Sequence, residues 1–214
     1  MQTIIRKVDE HCIDEKIMME AGELLKSGAL VAFPTETVYG IGVNALEEKP
    51  VKRLYEVKQR PLNKPISILV DNINMIEQVA KDITDLEYDL IKEFFPGPLT
   101  MILNKKNNIP DIVTAGGTTI GIRMPENKIA LKLIEYAGVP IAAPSANISG
   151  NPSGTELHTI MDEFKENVDY YIDGGKTKFG VSSTIVQVIN GVPHILREGS
   201  ISKEKIEEVC KRYK

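Results

Sequence analysis

The chain has 214 residues, of which 42% are hydrophobic and 26% charged, as in most folded globular proteins. The absence of tryptophan, 6% aromatic residues and a net charge of -4 disfavour base-stacking and broad nucleic-acid-binding surfaces. No apolar run could span a bilayer, no secretory signal is recognisable, and Cys12 and Cys210 lack a C-x-x-C spacing. We therefore expect a cytoplasmic protein with free thiols and one domain over residues 1–214.

Hydrophobic periodicity and turn residues predict an α/β fold. Helices are expected at 14–27, 51–58, 72–80, 84–94, 127–137 and 159–166, and from Ser202 to the C-terminus. Strands are expected at 3–8, 29–33, 66–70, 101–103, 120–124, 139–143, 170–172, 185–189 and 194–197. Asn190-Gly191 predicts a hairpin turn between the last two strands.

A polar segment with two glycines, residues 35–42, follows the strand that ends at Phe33. In open α/β sheets, ligands bind just beyond the carboxyl ends of strands. Residues 40–45 also fit the dinucleotide-binding pattern G-x-G-x-x-A. That pattern requires a tight turn after the strand and an acidic residue about twenty positions later, where this chain has Lys58 and Arg60. The context therefore argues against a dinucleotide site.

Residues 58–65, with the sequence KQRPLNKP, combine three cations with two prolines. Proline fixes its own φ and restricts the residue before it, so Arg60 and Lys64 are expected in extended conformations. Cations held in this way suit an anion with several oxygens, such as a triphosphate. The same pattern also fits a solvated connector with no function.

Further ligand-type residues follow other predicted strands, or lie inside them. They are Thr119 with Arg123, the small polar residues of 144–155, Ser183 with Thr184, and Arg197. If these groups meet the cationic loop in one cleft, its local potential is positive in an acidic protein. The sequence has no defensible Ser-His-Asp or Cys-His arrangement, no metal-ligand cluster and no P-loop. This combination favours chemistry in which the substrates carry the reactive groups and the protein orients them and neutralises charge.

Seven segments in order, between about Ser27 and Ile201, resemble the motifs of the YrdC family. They are PTETVYG at 34–40, KQRP at 58–61 with Lys64, PGPLT at 96–100, IRMP at 122–125, APSANISG at 143–150, STIV at 183–186 and LREG at 196–199. One such motif is a weak signal, but seven in order are specific. The resemblance implies a twisted mixed α/β sheet, open on one side and flanked by helices, with a positively charged concave cavity.

The resemblance also implies a reaction. L-threonine and bicarbonate, or carbon dioxide, would form a carbamate that attacks the α-phosphorus of ATP and releases pyrophosphate. The threonylcarbamoyl-AMP would pass to tRNA threonylcarbamoyl-transferase proteins, which modify adenosine 37 of tRNAs that read codons beginning with A. Longer family members carry a second, C-terminal domain, so this chain resembles the short form.

Site residues follow from the matching motifs. Lys58 and Arg60 would be catalytic and bind the triphosphate. Threonine would contact Thr35, Lys64, Arg123, Ala143, Ser183 and Thr184. The nucleotide would contact Thr119, Ser145, Asn147, Ser153 and Arg197. No residue is expected to bind metal directly, because magnesium would be held mainly by the ATP phosphates.

Two alternatives stay open at this point. A family paralogue without synthase activity could bind double-stranded RNA or tRNA through the same basic concavity, and weak RNA binding would accompany any cation-rich cavity. A related enzyme of hydrogenase maturation uses carbamoyl phosphate, but that family adds zinc-finger modules, which the two separate cysteines do not match.

Overall fold

Helices flank a mixed sheet in the computed structural model, which describes residues 3–211. The helices are α1 Glu15–Lys26, α2 Glu48–Val57, α3 Ile73–Val79, α4 Asp85–Phe94, α5 Lys128–Ala137, α6 Leu157–Phe164 and α7 Lys203–Cys210. A short 3-10 turn, Lys165–Asn167, follows α6. The last predicted helix extends to the C-terminus, and its residues 212–214 lie outside the described residues.

The described residues form eleven strands in one sheet. They are β1 Ile4–Lys7, β2 Val31–Phe33, β3 Gly40–Asn44, β4 Ile68–Leu69, β5 Ala80–Lys81, β6 Leu99–Lys105, β7 Thr119–Arg123, β8 Ile141–Ala142, β9 Tyr170–Asp173, β10 Thr184–Ile189 and β11 Val192–Arg197. The spatial order is β1-β9-β2-β3-β8-β4-β7-β6-β10-β11, with β5 paired to β6. Parallel and antiparallel pairs alternate irregularly, so the predicted mixed α/β sheet is confirmed.

Side-chain caps fix the start of α1 and α5. The Asp14 carboxylate accepts the backbone N–H of Lys16 at the start of α1, and Asn127 caps α5 in the same way. The α5 helix ends at Gly138, whose φ of 62° is a left-handed conformation that glycine adopts without strain. These caps explain why both helices begin and end where the local sequence indicates.

The predicted hairpin is confirmed between β10 and β11. Asn190 and Gly191 have φ values of 51° and 75°, and both lie in the left-handed region that a two-residue hairpin turn requires. The turn brings Arg197, at the end of β11, opposite Ile185 near the start of β10.

Two strands differ from the sequence interpretation. The sequence pattern places residues 40–42 in the polar segment, whereas they begin β3, which is buried along its whole length. The glycines there allow close packing, because a Cβ on Gly42 would lie 2.5 Å from the Ile141 side chain. The two-residue strand β5 is too short for periodicity to reveal.

Five neighbouring strands carry one row of residues that positions the candidate site. Leu69 of β4 lies opposite Arg123 of β7, and Ile185 of β10 lies opposite both Thr100 of β6 and Arg197 of β11. Between these pairs, Met101 of β6 lies opposite Ile122 of β7 in antiparallel register, which sets Thr100 beside Arg123. The sheet register therefore brings segments distant in sequence to one line.

Candidate functional site

Three arginines meet around one small cavity, which we call the arginine cavity. Its volume is about 180 Å³. It is lined by Thr37, Val38, Arg60, Pro65, Ile66, Ser67, Leu69, Thr100, Arg123, Ala143, Pro144, Ser145, Ser182, Ser183, Ile185 and Arg197. Six of these residues are predicted from the sequence: Arg60, Arg123, Ala143, Ser145, Ser183 and Arg197.

Arg123 is the most firmly held of the three arginines and is only 7% exposed. Its Nε donates to the Gly97 carbonyl at 3.2 Å, and its Nη1 donates to the Thr37 hydroxyl at 2.9 Å. Its Nη2 lies 2.7 Å from an oxygen of Glu36. Each guanidinium nitrogen thus has a fixed neighbour, so the group keeps one orientation at the cavity wall.

Glu36 compensates the buried charge of Arg123 and is itself only 3% exposed. Its contact with Arg123 is an ion pair without hydrogen-bond geometry, and neither carboxylate oxygen has a hydrogen-bond partner among residues 3–211. A buried carboxylate in this condition is costly unless a charge lies beside it, so Arg123 and Glu36 depend on each other. The sequence analysis did not single out Glu36, although an acid between two threonines after a buried strand was a usable signal.

Thr35 supports the cavity from behind. Its hydroxyl donates to the Val38 carbonyl at 2.6 Å and lies 2.9 Å from the hydroxyl of Thr37. Thr37, which the sequence analysis did not single out, is the threonine that lines the arginine cavity and contacts Arg123. Thr35 therefore reaches the cavity through Thr37 and Val38, which both line it.

Arg60 lines the cavity, and its own loop holds it in place. Its Nε and Nη2 donate to the backbone carbonyls of Lys64 and Pro65 at 3.1 and 2.8 Å. The Tyr55 hydroxyl also donates to the Lys64 carbonyl, at 2.8 Å, and so fastens the loop to α2. Burial lowers the pKa of Arg60, but a guanidinium stays charged at neutral pH. The side chain of Lys64 is exposed and does not line the cavity.

Lys58 lies behind the cavity wall and is 1% exposed. Its Nζ donates to the carbonyl oxygen of Ser145 at 2.6 Å and to that of Asn147. Burial, together with the charge of Arg60, lowers the pKa of Lys58 to about 7. In this structure Lys58 therefore holds the backbone of residues 144–151, which we call the 144–151 loop.

The 144–151 loop is also fastened by its own side chains. The Ser145 hydroxyl donates to Asn147 Oδ1 at 2.5 Å, and Asn147 Nδ2 donates to the carbonyls of Ile148 and Asn151. The backbone N–H of Ala146 donates to the Tyr39 carbonyl at 2.7 Å, which ties the loop to the segment before β3. Asn147 therefore shapes the loop and is not among the residues that line the cavity.

Arg197 and Ser183 form a second polar group at the cavity. Arg197 donates from Nη2 and Nε to the Ser183 carbonyl, at 2.8 and 3.2 Å. The Ser183 hydroxyl lies 2.8 Å from that of Thr100. Burial and the nearby charge of Arg123 lower the pKa of Arg197, and both arginines line the same cavity.

Thr184 is turned away from this group. Its hydroxyl donates to the Ile201 carbonyl at 2.7 Å and accepts the Ile201 N–H at 3.0 Å. It is completely buried, so its side chain fastens β10 to the residues before α7. The remaining predicted residues, Thr119 and Ser153, do not line the cavity, although Thr119 lies on the same face of β7 as Arg123.

Gly121, between Thr119 and Arg123 on β7, packs closely against two residues that line the cavity. A Cβ at this position would lie 2.7 Å from the Ser67 hydroxyl and 3.2 Å from a methyl of Thr100. Both of those residues line the cavity, so a side chain at 121 would displace part of its lining. The sequence analysis did not single out Ser67, although a lone hydroxyl in the apolar run 66–70 was a usable signal.

A larger hollow, of about 670 Å³, lies on the other side of the segment 34–38. Residues 34–36 line that hollow, whereas Thr37 and Val38 line the arginine cavity. Its charged lining mixes lysines with carboxylates, and none of the three arginines takes part. We place the candidate site in the smaller cavity, because the cations and hydroxyl donors converge there.

Among residues 3–211, no group of three or more His, Cys, Asp or Glu side chains is arranged to hold a metal ion. In the same part of the chain, no helix combines the length and apolar character needed to cross a membrane.

Comparison with known proteins supports the motif resemblance. The chain is 46% identical over 207 residues to threonylcarbamoyl-AMP synthase of Pyrococcus abyssi and 41% identical over 202 residues to that of Bacillus subtilis. These matches cover 97% and 94% of this chain, but only 61% and 58% of the relatives. The crystal structure of P. abyssi Sua5 complexed with L-threonine superposes with a TM-score of 0.94 over 97% of this chain and 61% of that one, at 46% identity.

The family model Sua5/YciO/YrdC, described as "Telomere recombination", matches residues 23–199. This range contains every residue that lines the arginine cavity. It also contains Lys58 and Tyr39, which anchor the 144–151 loop. The fold comparison and the family model agree over most of the chain. The chain belongs to the Sua5/YciO/YrdC family.

Proposed function

We propose that the protein synthesises threonylcarbamoyl-AMP from L-threonine, bicarbonate and ATP, with release of pyrophosphate. The convergence of Arg60, Arg123 and Arg197 on one cavity carries this proposal, because ATP, bicarbonate and the carboxylate of threonine are all negatively charged. The relatives named threonylcarbamoyl-AMP synthase match nearly the whole chain and support it. This chain spans about three fifths of those relatives, so the activity of the whole protein is part of the proposal.

We assign the threonine carboxylate to Arg123. Nε, Nη1 and Nη2 face Gly97, Thr37 and Glu36, but each terminal nitrogen carries a second N–H, and a planar pair of N–H groups matches a carboxylate. The hydroxyls of Thr37 and Ser183 line the same space and are suited to the polar groups of threonine. The P. abyssi Sua5 structure is a complex with L-threonine, which fits this assignment.

We assign the phosphates to the side of the cavity lined by Arg60, Ser145 and Arg197. Cations fixed by backbone carbonyls need little rearrangement when a polyanion binds, so they can stabilise charge as it develops. The enclosed volume of about 180 Å³ is smaller than pockets for drug-sized ligands, which measure about 300–1,000 Å³. The cavity therefore suits threonine and the reacting phosphate, with the adenosine outside, toward Thr119 and Ser153.

The reaction needs no general base on the protein for its second step. The neutral amine of threonine forms a bond to the carbon of bicarbonate, which loses water, or to carbon dioxide, in which case the nitrogen loses a proton; either route yields a carbamate. A carbamate oxygen then attacks the α-phosphorus, and the bond to pyrophosphate breaks. The barrier is the approach of one anion to another, and fixed cations lower it.

Magnesium fits this arrangement as a partner of ATP. Among the described residues that line the arginine cavity none is acidic, so the chain offers cations and hydroxyls there and no carboxylate ligands. When bound, magnesium would be held by the phosphates and would neutralise part of their charge. We also propose that the product passes to downstream tRNA threonylcarbamoyl-transferase proteins and that the protein acts in the cytoplasm.

The test is incorporation of ¹⁴C from labelled bicarbonate into an adenylate, together with pyrophosphate release. Both are expected only when L-threonine, ATP and magnesium are all present. Omission of threonine is the internal control. Binding of tRNA or double-stranded RNA with no threonine-dependent turnover would contradict the proposal and favour an RNA-binding role.

A further inference from the structure

Glu163 contacts the 144–151 loop without lining the arginine cavity. It lies on α6, and one carboxylate oxygen accepts the backbone N–H of Ile148 at 2.5 Å. The other oxygen accepts Nδ2 of Asn151 at 3.1 Å. One carboxylate therefore holds both the middle and the end of the loop, through charge-assisted hydrogen bonds.

Polar anchors supplement the apolar packing of the loop, which comes mainly from Ala146 and the partly buried Ile148. Ala146 is the one apolar side chain of the loop that is fully buried in the described structure, while Gly150 and Asn151 are exposed. Tyr39 anchors the start of the loop through the N–H of Ala146, and Glu163 anchors the opposite side. Without Glu163, the half that contains Ile148 and Asn151 keeps the bonds from Asn147, the bond to the Lys58 carbonyl, and the backbone bond from the Asn151 N–H to the Ile148 carbonyl.

The same end of α6 also supports the ammonium group of Lys58. The carboxylate of Glu163 acts on Lys58 as an opposite charge, against the effects of burial and of Arg60. The ring of Phe164, the next residue, lies with its centroid 5.9 Å from Lys58 Nζ. Lys58 in turn donates to the carbonyls of Ser145 and Asn147, so α6 reaches the loop by two routes.

We propose that Glu163 is a positioning residue for the nucleotide side of the site, which it serves by holding the 144–151 loop against α6. It does not line the arginine cavity and acts through Ile148, Asn151 and Lys58. This inference rests on the proposed function, because it names the residue that shapes the ATP side of the same site.

The test compares Glu163→Gln with Asp162→Asn. Glutamine keeps the size of the side chain but removes the charge, whereas Asp162 is an exposed neighbour on the same helix. In Glu163→Gln, we expect the KM for ATP to rise about tenfold, in line with the loss of a charge-assisted hydrogen bond, while the KM for threonine changes less than about twofold. Asp162→Asn should match the wild type in both constants.

Two further readouts separate positioning from a general loss of structure. Without the carboxylate, Lys58 loses its proton more readily, so the fall of kcat/KM for ATP should begin at lower pH in Glu163→Gln. Hydrogen exchange of residues 146–151 should also speed up, while exchange in α1 and α5 stays unchanged. A partly unfolded variant would instead lose activity equally at all pH values and exchange faster throughout.

The outcomes distinguish this inference from the proposed function. If the wild type shows no threonine-dependent turnover, the proposed function is wrong, and binding of a non-hydrolysable ATP analogue still tests Glu163. Weaker analogue binding by Glu163→Gln, with faster exchange of the loop, supports the inference. Wild-type values for analogue binding, pH profile and loop exchange in Glu163→Gln would overturn it.

Discussion

At the residue scale, the three cations of the loop 58–65 have three different environments. Lys58 is buried and holds the 144–151 loop, Arg60 lines the arginine cavity, and Lys64 is exposed. The sequence motif presents them as one cationic cluster. In the structure, the same motif contains Lys58, a buried residue that anchors the 144–151 loop, and Arg60, which lines the candidate site.

Replacement of Lys58 or Arg60 by alanine should reduce turnover more than Ser145→Ala. Each removes a charged donor, and hydrogen bonds to charged groups contribute about 1.5–3 kcal/mol compared with about 0.5–1.5 for neutral ones. The measurement is pyrophosphate release at saturating threonine. Lys52→Ala, which removes an exposed cation from α2, is the control and should leave the rate unchanged. A larger loss in Ser145→Ala than in both charge deletions would contradict the role of charge neutralisation.

The pH dependence of ATP use should report Lys58. Because the pKa of Lys58 in the folded protein is about 7, this side chain loses its charge as the pH rises above 7. We therefore expect kcat/KM for ATP to fall above about pH 7, since this constant reports groups of the free enzyme. Lys58→Arg should abolish that fall, because arginine stays charged. An unchanged profile in Lys58→Arg would rule out Lys58 as its source.

The free energy of unfolding should rise with pH over the range in which kcat/KM for ATP falls. The folded protein has the lower pKa, about 7 compared with 10.5, so between these values the unfolded chain binds more protons. The cost of burying Lys58 is therefore fully present below pH 7 and is relieved as the pH rises toward 10. We therefore expect the charged form of Lys58 to favour ATP binding and the neutral form to favour folding.

At the element scale, the contact of α1 with α5 depends on a glycine. Gly22 of α1 faces the backbone of Tyr136 and Ala137, and a Cβ there would lie 2.7 Å from those atoms. Glycine normally weakens a helix interior, so its presence reflects the close approach of the two helices. The α5 helix leads toward β8 and the 144–151 loop, so this contact also supports the site.

Gly22→Ala should destabilise the protein despite the better helix propensity of alanine. Propensity favours alanine by about 1 kcal/mol, whereas a new methyl group against a backbone costs about 1–3 kcal/mol. We expect a net loss of about 1 kcal/mol in the free energy of unfolding, measured by urea denaturation. Glu23→Ala, on the exposed side of α1, should change stability by less than about 0.5 kcal/mol. Equal or greater stability of Gly22→Ala would show that the helices can separate at little cost.

The sequence predicted elements well where local chemistry decides them. Asp14, Asn127 and Gly138 mark helix ends through their own hydrogen bonds and φ values, and Asn190-Gly191 marks the hairpin in the same way. It missed β3 because glycines that permit tight packing against Ile141 look the same in sequence as glycines of a loop. Only the tertiary neighbour distinguishes the two cases.

At the scale of the whole molecule, the site arises from sheet register. The row Leu69, Arg123, Thr100, Ile185 and Arg197 crosses five adjacent strands. The sequence predicted all three cationic residues that line the cavity, because cations among apolar neighbours need a partner or a ligand. The sequence did not show that Thr37, rather than Thr35, contacts Arg123. It did not reveal the pairing of Glu36 with Arg123. Nor did it show that the Thr184 hydroxyl faces Ile201. These distinctions depend on which way each side chain points in the folded chain.

The central claim is that cations from distant segments surround one nucleotide, with threonine beside its innermost phosphorus. A crystal structure with L-threonine, magnesium and a non-hydrolysable ATP analogue tests this claim most directly. We expect the threonine carboxylate within hydrogen-bonding distance of Arg123, and the phosphates within reach of Arg60 and Arg197. Ligands bound in the larger hollow lined by residues 34–36, with no contact to these arginines, would contradict the account.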